Sequence, residues 1–228
     1  MASLAQSLSS SVGRKYVMAI TGLIWAGFLV THLTANLLLL APDGGEAFNN
    51  YAYKLASFGP LLWVGELFLL LTLAAHIFNA TRINAEKRLA RLRTYQVSAD
   101  AGGNSRKTAA SLSMIYTGGV LAVFLVVHVW MFKFGPHYDV TYDGVVMRDL
   151  KKVVVEAYSN PLWVLLYCFV MAVLGMHLRH AVWSAFQSLG LNNEKWLPII
   201  EKAGFAFAIA VAFGFFIIPI GIFLGVGQ

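Results

Sequence analysis

Five long apolar runs constrain the fold of this 228-residue chain more than any other feature of its sequence. They cover about residues 16–41, 60–81, 111–134, 161–186 and 203–226. Each approaches or exceeds the roughly 20 residues that an α-helix needs to cross a bilayer. The chain is 58% hydrophobic and only 12% charged, which is typical of a polytopic membrane protein. The sequence therefore predicts an all-α membrane protein, a single domain over residues 1–228 that forms a bundle of five transmembrane helices.

The distribution of basic residues predicts the orientation of these helices. Twelve of the 17 Lys and Arg residues lie in the N-terminal segment, in residues 82–110 and in residues 179–202. The other five lie in or beside residues 42–59 and 135–160. Because basic loops stay on the cytoplasmic side, we expect the N-terminus inside and the C-terminus outside. This asymmetry explains the net charge of +6, which does not indicate a nucleic-acid partner.

The second run continues into a basic segment, RINAEKRLARLRTY. We expect its helix to extend into the cytoplasm to about residue 94. The extension carries Arg82, Lys87, Arg88, Arg91 and Arg93. Two roles are open for it, the docking of a cytoplasmic partner and contact with anionic membrane lipids. On the opposite side, residues 145–157 are predicted to form a short amphipathic helix on the outer interface.

Histidines inside the apolar runs are the main indication of function. Four of the runs each contain a histidine well inside the run: His32, His76, His128 and His177. The first and third lie 10 and 8 residues before a proline that ends the run on the outer side. The second and fourth each lie 16 residues after a proline that begins the run on that side. At 1.5 Å per residue, the two layers are ~10 Å apart along the membrane normal.

Two matched layers of histidine predict two cofactors, each held between a pair of helices. A histidine in hydrocarbon is costly and is functional by default, although a single one often serves in packing or in a proton relay. Neutral imidazole is a good axial ligand for haem iron. We therefore expect two b-type haems, an outer one bound by His32 and His128 and an inner one bound by His76 and His177. The single cysteine, Cys168, cannot hold an iron–sulfur cluster, so any cluster belongs to another chain.

Other polar residues near the ends of the runs have open roles. Glu66 lies inside the second run near the outer face, either as a proton acceptor beside an outer redox site or in contact with headgroup water. Arg82 lies two turns from His76 and is a candidate for contact with a haem propionate. Arg179 and His180 are candidates for the same contact, and His180 also for a quinone or for hydrogen bonds to protein and water.

Three segments of the chain resemble a known family. They are GRKYVMAITGL…THLTANLLL, FNNYAYKL…GPLLWVGELFLLLTLAAHIFNATRINAEKRLAR and HLRHAVWSAFQSLG. They resemble the single-chain, di-haem cytochrome b subunit of succinate:quinone oxidoreductases and fumarate reductases. The resemblance covers nearly the whole chain, and all four histidines have counterparts. It implies the same pairing, His32 with His128 for the outer haem and His76 with His177 for the inner haem.

The resemblance implies a membrane anchor of respiratory complex II in a bacterial cytoplasmic membrane. The dicarboxylate chemistry of this enzyme of the tricarboxylic acid cycle would lie in a flavoprotein subunit with FAD. An iron–sulfur subunit would dock on the basic cytoplasmic face and pass electrons to the inner haem, then to the outer haem and to a quinone, expected to be menaquinone. The direction of the reaction, succinate oxidation or fumarate reduction, is left open.

The sequence departs from the family at one position and leaves competing functions. Some fumarate reductases carry a glutamate for a transmembrane proton route two residues before the fourth-run ligand, where this chain has Gly175. The alternatives are the di-haem membrane subunit of another enzyme, such as a hydrogenase or nitrate reductase, and a transporter or channel with a histidine proton relay. The relay alternative predicts no haem.

Overall fold

The computed structural model describes residues 6, 10–90, 109–191 and 193–227, without the side chains of residues 87, 90 and 109–112. The elements in chain order are α1 (Ser11–Leu37) with a short 3-10 turn (Leu38–Leu40), α2 (Glu46–Ser57), α3 (Pro60–Ala90), α4 (Ala109–Phe132), β1 (Asp139–Tyr142), β2 (Val145–Arg148), α5 (Leu150–Tyr158), α6 (Pro161–Ser188) and α7 (Leu197–Phe223). Among these described elements, α1, α3, α4, α6 and α7 are long and apolar enough to cross a membrane. The prediction of an all-α membrane bundle is confirmed for the number, length and apolar character of these helices.

The boundaries of the spanning helices differ from the predicted runs by a few residues. The largest difference is in α7, which begins at Leu197 rather than near residue 203. Pro198 lies in its first turn, where a missing backbone N–H costs no hydrogen bond. The helix therefore takes in Glu201 and Lys202, which the apolar run excluded. Helix α3 continues past the bilayer length to Ala90, whereas Arg91, Arg93 and the predicted end at residue 94 lie outside the described residues.

The bundle is built around α1 and α6. Helix α1 packs against α3, α6 and α7, and α6 packs against α4 and α7. Glycines allow close contact between α6 and α7: a Cβ at Gly175 would lie 3.0 Å from Ala212 Cβ, and one at Gly204 would lie 3.2 Å from Val182 Cγ1. A buried cluster of α6 and α7 side chains fills this interface: Val170, Met171, Leu174, Leu178, Ala208 and Val211.

One end of the bundle is covered by α2, the β1–β2 hairpin and α5, which together we call the cap. The hairpin pairs Asp139 with Arg148 and Tyr142 with Val145, and its turn is Asp143–Gly144. Both turn residues have positive φ, as a two-residue hairpin turn requires. The helix predicted over residues 145–157 is therefore wrong in its first part, where β2 lies, and right from Leu150 onward. Helix α2 was not predicted at all.

Two buried polar side chains hold the cap together. Asn49 of α2 accepts a hydrogen bond from the backbone N–H of Lys151 at 3.0 Å and donates one to Asp149 Oδ1 at 2.9 Å. The Nζ of Lys151 donates to the carbonyl oxygen of Leu39 and, at 2.8 Å, to that of Gly227. These bonds fix α2, α5, the end of α1 and the chain beyond α7 to one another, so the cap is a rigid cover over the bundle.

Candidate functional site

The four intramembrane histidines lie in two pairs inside the bundle. His32 of α1 and His128 of α4 face each other near the cap, with ring centroids 5.8 Å apart and ring planes at 82°. We call them the cap-side pair. His76 of α3 and His177 of α6 lie near the other end, within electrostatic range of each other. We call them the basic-side pair. Each pair has the members that residue depth predicted, and each joins two different helices.

Aromatic rings fix the cap-side imidazoles. Phe28 stacks on His32, with ring centroids 5.3 Å apart and planes at 20°. The hydroxyl of Tyr167 lies 3.3 Å from Nδ1 of His128, and Phe132 meets the same ring edge-on at 5.3 Å. Since Nδ1 of His128 is engaged by Tyr167, its Nε2 is the nitrogen left to act as a ligand.

A cavity of about 210 Å³ adjoins the cap-side pair. Both histidines line it, and α1, α2, α4 and α5 supply the rest of its wall. The wall is largely apolar, with polar side chains on α1 and α2: Thr31, Asn36 and Tyr51. A flat, mostly apolar ligand with a few polar groups suits such a wall.

Two threonines orient the basic-side imidazoles. Oγ1 of Thr21 in α1 lies 3.1 Å from Nδ1 of His76, and Oγ1 of Thr117 in α4 lies 3.0 Å from Nδ1 of His177. Both threonines are buried. Each hydroxyl therefore links a histidine of one helix to the backbone of the neighbouring helix.

The hydrogen bonds of these threonines favour one imidazole tautomer. The hydroxyl of Thr21 lies 2.7 Å from the carbonyl oxygen of Val17, and that of Thr117 lies 3.1 Å from that of Ser113. A hydroxyl has one proton, so when it donates to the carbonyl only its lone pairs remain for the histidine. In this arrangement the imidazole donates from Nδ1 and keeps an unprotonated Nε2, the form that binds a metal.

Glycines leave space beside the same two histidines. A Cβ at Gly22 would lie 3.3 Å from Cε1 of His76, and one at Gly118 would lie 3.5 Å from Cε1 of His177. The indole Nε1 of Trp25, one turn from Gly22, is buried without a hydrogen-bond partner among the described residues. The missing side chains of Gly22 and Gly118 let the two imidazoles lie close against α1 and α4. Two imidazoles held in this way, with an unsatisfied donor nearby, fit a cofactor such as haem. No ligand is part of the structure, and the residues present fit this group.

An internal repeat produces this arrangement. Residues 21–32, TGLIWAGFLVTH, and residues 117–128, TGGVLAVFLVVH, are identical at seven of twelve positions. Both segments place a Thr-Gly pair against a basic-side histidine and, eleven residues later, a cap-side histidine. The roles of Thr21 and Thr117 were missed in the sequence analysis, although alignment of the first run with the third would have revealed them.

Glu66, Arg82 and Arg179, which the sequence also singled out, contact other side chains of the bundle. Glu66 forms an ion pair with Lys133, which follows α4, and both side chains are about one-third exposed or more. The guanidinium of Arg82 lies 5.8 Å from the ring centroid of Phe78. That of Arg179 lies 5.1 Å from the ring centroid of Phe205. Both arginine side chains are exposed.

His180 and Gly175 lie one turn or less from His177 on α6. The His180 ring packs against Trp183 at 5.6 Å between centroids and lies within electrostatic range of His177. Gly175 faces α7, where even a Cβ would meet Ala212 at 3.0 Å. A glutamate at this position would therefore displace α7.

Comparison of the chain with models of protein families, with curated proteins and with solved structures found no match.

Proposed function

We propose that this chain is the di-haem cytochrome b membrane anchor of a succinate:quinone oxidoreductase or fumarate reductase. The observation that carries the proposal is the pair of Thr-His hydrogen bonds, 3.1 Å at His76 and 3.0 Å at His177. In this arrangement the two imidazoles keep unprotonated Nε2 atoms inside an apolar bundle. A proton relay needs imidazoles whose nitrogens exchange protons, whereas bis-histidine ligation needs this fixed tautomer.

In the proposed anchor, His76 and His177 hold the inner haem and His32 and His128 hold the outer haem. Bound haem b supplies one-electron chemistry, and the chain supplies ligation, orientation and a dry surrounding. The end of the bundle that holds the N-terminus of the chain and the basic extension of α3 would face the cytoplasm. There it would bind an iron–sulfur subunit that receives electrons from an FAD-containing flavoprotein. The chain itself performs no dicarboxylate chemistry.

The cap end would then face outward and serve the quinone, which we propose to be menaquinone in a bacterial cytoplasmic membrane. The cavity beside His32 and His128 lies at this end, and the ion pair of Glu66 with Lys133 lies at the outer end of α3. Glu66 remains our candidate for the proton acceptor. Arg82, Arg179 and His180 remain candidates for propionate contacts, for which the exposed arginine side chains would have to turn inward.

A haem count tests the proposal. The purified complex would be assayed by pyridine haemochrome, and its reduced b-type absorbance would be titrated against potential. We expect two b haems per chain with separate midpoints, together with co-purifying iron–sulfur and flavin subunits. One haem per chain would remove one histidine pair from the proposal. Absence of haem would favour the proton relay, and co-purification with a hydrogenase or nitrate reductase would assign the anchor to another enzyme.

A further inference from the structure

We infer that Thr21 and Thr117 are positioning residues that set the tautomer and donor strength of the two inner ligands. The inference deepens the proposed function and rests on it. It concerns the hydroxyls that hold His76 and His177, which act on the iron only through the histidines.

The geometry makes each threonine an acceptor toward its histidine. The hydroxyl proton of Thr21 is shared between the carbonyls of Val17 at 2.7 Å and Met18 at 3.2 Å. The hydroxyl proton of Thr117 is shared between those of Ser113 and Met114, each at 3.1 Å. Neither hydroxyl has a second proton to offer. The Nδ1–H of each histidine therefore donates to a threonine, and a donated proton makes the imidazole a more basic ligand.

The two threonines differ from other intramembrane threonines of the chain. Thr72 in α3 also donates to a backbone carbonyl, that of Leu69 at 2.9 Å, but no contact with a histidine is described for it. Thr34 in α1 does the same with Val30 and is exposed. All four threonines thus bond to the backbone of their own helix. Of the four, Thr21 and Thr117 also contact a histidine of a neighbouring helix.

The test replaces each threonine with valine, which keeps the shape and removes the hydroxyl, and with serine, which keeps the hydroxyl. Thr72→Val is the matched control. The assembled complex of each variant would be examined by redox titration and by low-temperature electron paramagnetic resonance, which report the ligand field without turnover. We expect Thr117→Val to raise the midpoint of one haem and to shift its resonance. Thr21→Val should act in the same direction on the same haem.

Three results would support or overturn this inference separately from the haem proposal. Recovery of the wild-type midpoint in Thr117→Ser supports the inference. It does so even if Thr117→Val loses the inner haem altogether. Two haems with unchanged midpoints and resonances in both valine variants overturn it and leave the di-haem anchor intact. Loss of the inner haem in Thr117→Ser as well as in Thr117→Val also overturns it, because the hydroxyl that serine keeps would then not hold the ligand. Wild-type protein without haem removes both proposals together.

Discussion

The imidazole rings of His32 and His128 lie 5.8 Å apart with their planes at 82° to each other. If both bind one iron in this orientation, the ligand planes are nearly perpendicular and the low-spin ferric signal is strongly anisotropic. We therefore expect the outer haem to give a resonance with a large maximal g value. Electron paramagnetic resonance of the oxidised complex measures it directly. A weakly anisotropic signal for this haem would mean that the rings rotate toward a parallel arrangement when the iron binds.

Alanine variants of the histidines test which residues share a haem. His76→Ala and His177→Ala should each remove the same b-type signal and leave the other, because each pair loses one of its two axial ligands. His32→Ala and His128→Ala should remove the remaining signal. Redox difference spectra of the four purified variants distinguish the two haems by midpoint. Loss of different signals in His76→Ala and His177→Ala would contradict the pairing.

The spanning helices and the histidine pairs could be predicted because each depends on a property of a single run. Hydropathy locates a helix, and the distance of a histidine from a proline gives its depth. Contacts between helices are not encoded in that way. The partners of Glu66 and Arg179, which are Lys133 and Phe205, lie on other parts of the chain, so their bonds emerge only when the helices pack.

Two features of the cap and of the site could have been read from the sequence. The dipeptide Asp143–Gly144 between Tyr142 and Val145 is a strong hairpin signal, whereas the apolar spacing of residues 145–157 favours a helix throughout. The Thr-Gly pairs that begin residues 21–32 and 117–128 carry the contacts with His76 and His177. Within the first run alone, small residues fit both room for a flat ligand and ordinary helix packing, so the pattern has no specificity without the repeat.

Glycine substitutions test whether space beside the inner histidines is required. Gly22→Val should lower the content of the inner haem, because a Cβ already lies 3.3 Å from His76 and the branched side chain extends further. Gly27→Val is the matched control on the same helix, since a Cβ there meets nothing within 4 Å. Both variants replace a glycine of α1 with valine, so the change in helix propensity is the same in the two. Equal haem content in the two variants would show that the imidazole of His76 moves aside without loss of ligation.

Variants of Glu66 and Lys133 distinguish a role of Glu66 in proton transfer from a role in ion pairing. If Glu66 accepts a proton at the quinone site, Glu66→Gln should lower quinone-linked turnover on the order of 10²-fold, the usual contribution of a general base. Lys133→Met removes the same ion pair and keeps the carboxylate, so its effect should be much smaller. A partly exposed pair contributes at most about 1 kcal/mol to stability. Steady-state turnover at equal haem content decides between the roles. Equal losses in the two variants would assign the effect to the ion pair.

Variants of Lys151 test how much its hydrogen bonds stabilise the cap. Its Nζ donates to the buried carbonyls of Leu39 and Gly227, and Lys151→Met would leave both without their donor, at a cost of about 1–3 kcal/mol for each carbonyl left unsatisfied. Lys152→Met is the matched control, since the neighbouring ammonium lies over the exposed face of Tyr138 at 4.0 Å. Thermal unfolding of the two variants should separate them clearly, with the lower midpoint for Lys151→Met.

The pH dependence of the same lysine has a definite sign. Burial lowers the pKa of Lys151 below its usual 10.5, so the unfolded chain binds more protons between the folded pKa and 10.5. Stability contributed by this group therefore rises as pH increases through that window. The neutral amine still has two N–H groups for its two carbonyl acceptors, so the cap keeps its bonds when the proton leaves. We expect the difference in unfolding midpoint between wild type and Lys151→Met to widen as pH rises toward 10.5. A difference that narrows instead would mean that the charge, rather than the two hydrogen bonds, holds the cap on the bundle.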